Sequence, residues 1–419
     1  MKSKRIGFVS TRLAGTDGVS LETFKWAEVL ERMGMQCYYM AGELGTPHER
    51  SLLVPSCHFT HPGAKEVYEG CFNCETRLPR VTRKCEDLKH GLKQSVRDFV
   101  DHFRLDLVIP ENALTIPMNI PLGLALTEYL LELGTPAIAH HHDFHWERKR
   151  FQRNACWDYL TKAFPPQLPT IQHTVINTAQ VTQLSLRTGI AATVIPNVMD
   201  FATPPKSSDG YTDDIRAELG IPDDHKVILQ PTRVVKRKGI EHAVELTHRL
   251  GMPATLVVSH ASGDEGDDYA VRVREYSEVL GVNVVQSADR IAENRGLTPD
   301  GRKVYTLADA YDCADLITYP STIEGFGNAF LEAVYFRKPI LVNNYAIYDS
   351  DIRPKGFQTV EMEDYITSDA IAKAREVLTN QDLTDEMAGV NYELAKRFFS
   401  YEVLEQKLTT LLMNCFGSD

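Results

Sequence analysis

Short apolar runs, too short to be helices, alternate with stretches of helical period along most of this chain, and that beat is its strongest constraint. Residues 6–9 lead through a glycine-bearing turn into an amphipathic stretch carrying Leu21, Phe24, Ala27, Leu30 and Met33, which stops at Gly34; residues 36–40 are again apolar. Further strands are expected at residues 105–109, 136–142, 173–177 and 193–195. Strands separated by helical crossovers run parallel, and a parallel sheet needs helices on both faces.

A second series starts after residues 201–214, which are rich in Pro, Ser, Asp and Gly and carry no period. Its strands are expected at 227–230, 254–259, 282–285, 316–319 and 339–342, and one helix runs after Lys238 through His242, Val244, Leu246 and Leu250. The chain of 419 residues therefore reads as two Rossmann-like doubly wound α/β domains, 1–199 and 200–399. Ligands of such sheets bind at the carboxyl ends of the strands, so a cleft between the domains is the expected site. Residues 47–88 read as an insertion or long loop.

With 57 acidic against 45 basic side chains, the net charge of -12 argues against a general nucleic-acid binder, which needs a basic face. Eight cysteines are too few to staple the chain. Cys57, Cys71, Cys74 and Cys85 lie close in sequence beside His58 and His61 and raise a local zinc site, with reduced thiols as the favoured reading. Lys2, Lys4 and Arg5 precede only a short apolar run, unlike a secretory signal, and no stretch approaches the ~20 apolar residues of a membrane span. A cytoplasmic protein is expected, without an integral membrane segment; a homo-oligomer is open.

Two segments carry chemistry. Residues 319–332 take an apolar strand into a loop with Glu324, set Gly325 and Gly327 around Phe326, and open a helix near Asn328 that carries Glu332. Glycines let a backbone approach a ligand, and the N–H groups of a first helical turn favour an anion such as phosphate. A turn glycine and solvated acids are the plain alternative. The second segment, residues 231–240, places Arg233 and Lys238 at the carboxyl edge of a strand, a placement suited to a diphosphate. Lys236 and Arg237 are expected to face solvent.

Together these segments resemble the second domain of retaining glycosyltransferases of family 4, which have the GT-B fold. The likeness rests on Glu324 and Glu332, on Arg233 and Lys238, on Ile195-Pro196-Asn197-Val198-Met199-Asp200, and on an amino-terminal turn with Gly15 and Gly18. In that turn Thr16 and Asp17 separate the glycines, where the family has them adjacent. The resemblance implies transfer of a hexose, glucose or mannose, from a UDP- or GDP-sugar with retention and no obligatory cofactor or metal. By the same likeness Arg233 and Lys238 hold the diphosphate, Glu324 the donor sugar and Glu332 the ribose. Gly18 and the amides of Phe326, Gly327 and Asn328 also serve the donor. The resemblance further implies a terminal helix, about 400–419, crossing back onto the first domain, where a surface helix of the second domain is the alternative.

In the first domain, residues 139–151 carry His140, His141, His142, Asp143 and His145. Strand alternation puts His140 and His142 on one face and His141 on the other. By resemblance His142 and Asp143 line the sugar pocket; a metal cluster with His145 or a buried structural histidine are alternatives. Arg148, Lys149, Arg150 and Arg153 form a basic run that is either a solvated face or the holder of a small anionic acceptor, a phosphorylated sugar or a carboxylate like glycerate, with Asp143, Arg150 and Arg153 as candidates. Asp349 and Asp351 have the spacing of a metal-binding pair in the wrong context and read as a loop or cap. The base pocket is expected near residues 259–264 and 288–294. Other readings are a nucleotide-sugar epimerase or hydrolase, a non-catalytic binding subunit, and a membrane-surface transferase, which the acidic first helix disfavours.

Overall fold

Burial of both faces turns the early apolar runs into a parallel sheet. In the computed structural model, which describes residues 3–205, 209–262 and 266–417, the strands are β1 (Arg5–Val9), β2 (Gln36–Ala41), β3 (Ser51–Leu53), β4 (Leu107–Pro110), β5 (Ala137–His141), β6 (Ile171–Val175) and β7 (Ala192–Val194). Their order is β3-β2-β1-β4-β5-β6-β7, every pair parallel. The order reverses between β1 and β4, where an open α/β sheet parts its loops and makes room for a ligand. β4 and β5 are wholly buried, which is why they read as apolar runs without alternation.

Helix starts follow local chemistry. Asp17 accepts from the backbone N–H of Val19 and Ser20 and so caps the helix Gly18–Arg32. Asn119 does the same for Ile120–Leu133 by accepting from Leu122, and Gly134, at φ 63°, ends that helix.

Residues 47–88 are not a long loop. They hold β3, the helix Pro62–Cys71 and the first part of a 25-residue helix, Pro79–Phe103. Each helix begins with proline in its first turn, and Val67, Cys71, Val81 and Cys85 are its core positions. The cysteines supply part of the apolar period of these helices, since a buried thiol packs as a small hydrophobe.

A second parallel sheet contains β8 (Lys226–Gln230), β9 (Ala254–Val258) and β10 (Asn283–Gln286), then β14 (Leu316–Tyr319), β15 (Ile340–Asn343) and β16 (Val360–Met362), in the order β10-β9-β8-β14-β15-β16. Between them β11 (Ile291–Ala292), β12 (Gly296–Leu297) and β13 (Lys303–Thr306) make a small separate sheet that the sequence did not suggest. The reversal of strand order falls between β8 and β14.

The chain divides into two compact units, one running to Val198 and including the residues from Tyr401 on, the other Met199–Ser400. The helix Tyr401–Phe416 buries Tyr401, Leu404, Leu408 and Leu411 in the cluster that holds Ile6, Trp26 and Leu30 of the first unit. Among the described residues no helix is long and apolar enough to cross a membrane.

Candidate active site

In the second unit both sequence segments land on the strand-order reversal. The loop after β8 carries Arg233, Arg237 and Lys238, and the loop after β14 carries Glu324. Two glycines fasten them. Gly239 has φ 60°, and a Cβ there would stand 2.5 Å from the Pro320 carbonyl oxygen, so this residue lets the two loops touch. Gly327 has φ 124°, and its Cβ would fall 2.3 Å from Tyr345 Oη, whose hydroxyl donates to the Phe326 carbonyl at 2.7 Å.

The Glu324 carboxylate accepts from Lys238 Nζ and lies 3.4 Å from the Arg237 guanidinium. Arg237, expected to face solvent, thus turns inward, because Glu324 is the carboxylate its loop meets. Lys238 also stands 5.1 Å over the Tyr319 ring. Burial pushes the Glu324 pKa up, but Lys238 and Arg237 outweigh it and hold the carboxyl below its ordinary range. Lys238 is lowered by its own burial, against the pull of Glu324. Arg233 is exposed, yet close enough to Lys238 and His260 to lower both. Three cations against one anion leave a positive excess beside the N-terminus of the helix Asn328–Tyr335, which suits a diphosphate.

Phe326 puts its side chain in the core, edge-on to Phe399, so only its backbone is available to a ligand. Glu332, a turn inside the helix, accepts from the buried Tyr311 hydroxyl at 2.8 Å. Asn328 is half-buried in the first turn. Of the expected base pocket, Ser259 is buried and bonds His260 Nδ1 at 2.6 Å, and Arg290 pairs with Glu218 at 2.7 Å; Asp264 lies outside the described residues. Asp349 pairs with Arg353 at 3.1 Å, and Asp351 is buried in the same turn.

The first unit builds a different centre. Glu111 directly follows β4 and bridges to His140 of β5, and its backbone N–H donates to the Val9 carbonyl at 2.8 Å. Its fully buried carboxylate meets His140 Nδ1 at 3.0 Å and His142 Nε2 at 3.3 Å. His140 stacks on Trp26 with centroids 4.0 Å apart. On the other face His141 Nε2 pairs with His173 Nδ1 at 2.8 Å, so alternation sorted the histidines as expected. Burial lowers both His140 and His142. Glu111 outweighs burial at His142, which ends raised, while His140 stays lowered, opposed by the neighbouring His142. Glu111 itself is held low by the two rings despite its burial.

These three are also the group that could hold a metal ion among the described residues, with ligand atoms within 4.8 Å of one another. His145 is not part of it and packs edge-on to Trp146 and Trp157. Cys57 belongs to one apolar cluster and Cys71 and Cys85 to another, and Cys74 Sγ donates to the Gly70 carbonyl, so the four thiols do not converge. The sequence missed Glu111 because it stands 29 positions before His140, and only the β4–β5 pairing unites them; an acid ending a buried strand was the available signal.

Asp143 accepts from Asn112 at 3.0 Å and from Arg148 at 2.6 Å. Arg153 pairs with Glu75 at 3.1 Å, and Arg150 lies over the Phe151 ring, both exposed. A separate, open pocket of about 90 Å³ lies where β1 and β4 diverge, lined among others by Thr11, Arg12, Asp17, Phe59, Glu111 and Asn112. Gly18 sits beside it as the exposed first residue of its helix.

Two doubly wound units, the second with a cationic loop and a glutamate–glycine loop at its strand-order reversal, define a glycosyltransferase of the GT-B fold. The family described as glycosyl transferases group 1 matches residues 212–392. Mannosylglucosylglycerate synthase of Thermotoga maritima is 30% identical over 97% of this chain and 99% of its own length, and that of Petrotoga mobilis 30% identical over 85% and 86%. This chain belongs to the glycosyl transferases group 1. A 26% identical mannosylglucosyl-3-phosphoglycerate synthase of Petrotoga mobilis is matched over 63% of this chain and 51% of that one. In fold, the chain is similar to a glycosyltransferase of Rickettsia africae (TM-score 0.70, 13% identity, all of both chains) and to HepE of Anabaena solved with UDP and glucose (TM-score 0.67, 14% identity, 98% and 100% covered).

Proposed function

We propose that this enzyme transfers a hexosyl group, mannosyl foremost, from a nucleotide-sugar to a glucosylglycerate-type acceptor with retention of configuration. The observation that carries the reading is Glu324 held by Arg237 and Lys238, with Arg233 close to Lys238, beside a helix N-terminus. Negative charge develops on the departing diphosphate, and preorganised cations facing it stabilise the transition state more than the ground state. Those side chains supply charge that a metal ion would otherwise provide, so no metal is required in this scheme.

Arg233 and Lys238 hold the diphosphate, with the amides of Phe326, Gly327 and Asn328 beside them. Glu324 orients sugar hydroxyls, and Glu332, fixed by Tyr311, takes the ribose. In the first unit, His142 and Gly18 serve the transferred sugar and Asp143 the acceptor. The glycosidic bond to phosphate breaks while the acceptor oxygen attacks on the same face, and a phosphate oxygen takes the acceptor proton. The mannosyl and glucosylglycerate assignments rest on the names of the two mannosylglucosylglycerate synthases. The cytoplasm is the proposed location; the cysteines are all free thiols.

The test is a panel of UDP-, GDP- and ADP-sugars, each with and without glucosylglycerate, with the product anomer read by NMR. A retained α-linked product from one donor is expected. An inverted product, hydrolysis alone, or no turnover with any donor refutes the proposal.

A further inference from the structure

The first unit's pocket has one Lys or Arg among the described residues that line it, Arg12. It stands at the strand-order reversal between β1 and β4, the position where open α/β sheets take their ligands. We infer that this pocket takes the acceptor as a mono-anionic sugar acid, with Arg12, not Arg150 or Arg153, receiving its carboxylate. This rests on the function proposed above.

Three observations carry it. Arg12 keeps its fork available: of its five N–H donors, one contact is made, to Asp17 Oδ2 at 3.2 Å, and the side chain is 36% exposed. Asp17 cannot absorb more of it, because its oxygens already accept from the Val19 and Ser20 amides and from the Ser20 hydroxyl at 2.7 Å. The remaining wall suits a sugar. Phe59 gives an aromatic face, with Arg12 5.7 Å from its ring centre, and Thr11 and Asn112 can meet hydroxyls.

Charge then sets the acceptor class. One guanidinium, already shared with Asp17 and lying in a wall that also holds Glu111, matches a single carboxylate. A phosphomonoester would bring nearly two negative charges to that wall without a second cation. Arg150 and Arg153 do not line the pocket. Of glucosylglycerate and its 3-phosphate, the acceptors that the relatives' product names imply, the pocket therefore favours the first.

The test is calorimetric titration of the full chain with glucosylglycerate, with neutral glucosylglycerol, and with glucosyl-3-phosphoglycerate. Arg12→Gln and Arg12→Lys are compared, with folding checked by thermal melts. The native chain is expected to favour the carboxylate over the neutral glycoside by about 10- to 100-fold, the range of a charge-assisted hydrogen bond. Arg12→Gln erases that preference, Arg12→Lys keeps part of it, and the phosphorylated acceptor binds more weakly than glucosylglycerate. A preference that survives Arg12→Gln, one that collapses instead in Arg150→Ala/Arg153→Ala, tighter binding of the phosphorylated acceptor, or no binding at all overturns the inference. Parallel transfer assays separate the two readings. Arg12-dependent binding without transfer rejects the proposed function and keeps the pocket, whereas transfer with an indifferent Arg12 does the reverse.

Discussion

Each unit sets a glutamate where its strand order reverses, Glu111 buried and Glu324 half-buried, and the two are paired in different ways. Glu111 is met by two imidazoles, one raised and one lowered from its ordinary value, whereas Glu324 is met by a lysine and an arginine. The contrast separates two tasks. A pyrophosphate leaving group needs positive charge at every pH at which the enzyme works. The first unit instead pairs its carboxylate with two histidines shifted in opposite directions.

The contrast breaks most visibly at Lys238. Lys238→Met should lower kcat/KM by about 1000-fold, as measured by steady-state rates from pH 5 to 9. Gly327→Ala comes next, since a side chain at φ 124° would also collide with Tyr345. A loss of about 2–4 kcal/mol in unfolding free energy is expected from urea titration.

Glu111→Gln should cost roughly 10- to 30-fold in kcat/KM. Without the carboxylate, His142 loses its largest raising influence against burial and its pKa falls, so the pH at which it loses its proton moves down. Imidazole NMR titration reads that shift, and an unmoved His142 would remove the distinction between the centres.

The smallest expected effect is on the opposite face of β5. Burial holds His173 down at about 4 and His141 also low. Because the folded values lie below the unfolded 6.5, their contribution is complete above pH 6.5 and is lost as pH falls toward 4. Thermal melts should show about 1–3 kcal/mol less stability at pH 4 than at pH 7, and His173→Phe should flatten that slope.

Much of this was legible where local chemistry decides structure. The strands announced themselves because buried parallel strands are apolar throughout, and β14 falls on residues 316–319 as expected. Strand ends were less readable: β4 begins at Leu107, not residue 105, since Leu105 packs its side chain in the core before the ladder starts. Sites made by long-range pairing were half visible. Lys238 and Glu324 each sit in a loop with a recognisable pattern, but the inward turn of Arg237 depends on a carboxylate 87 positions away. The basic run at 148–153 drew attention by density, whereas Arg12, a single cation near Asp17, carried no pattern at all.

The helix Tyr401–Phe416 has a consequence in time. Ile6, Trp26 and Leu30 share their cluster with residues that follow Val198 by about 200 positions. At roughly 5–20 residues per second of synthesis, the amino-terminal unit waits on the order of 10–40 s with that surface uncovered. The unit made first is thus the one completed last, and a chaperone that shields its early strands would act during that interval.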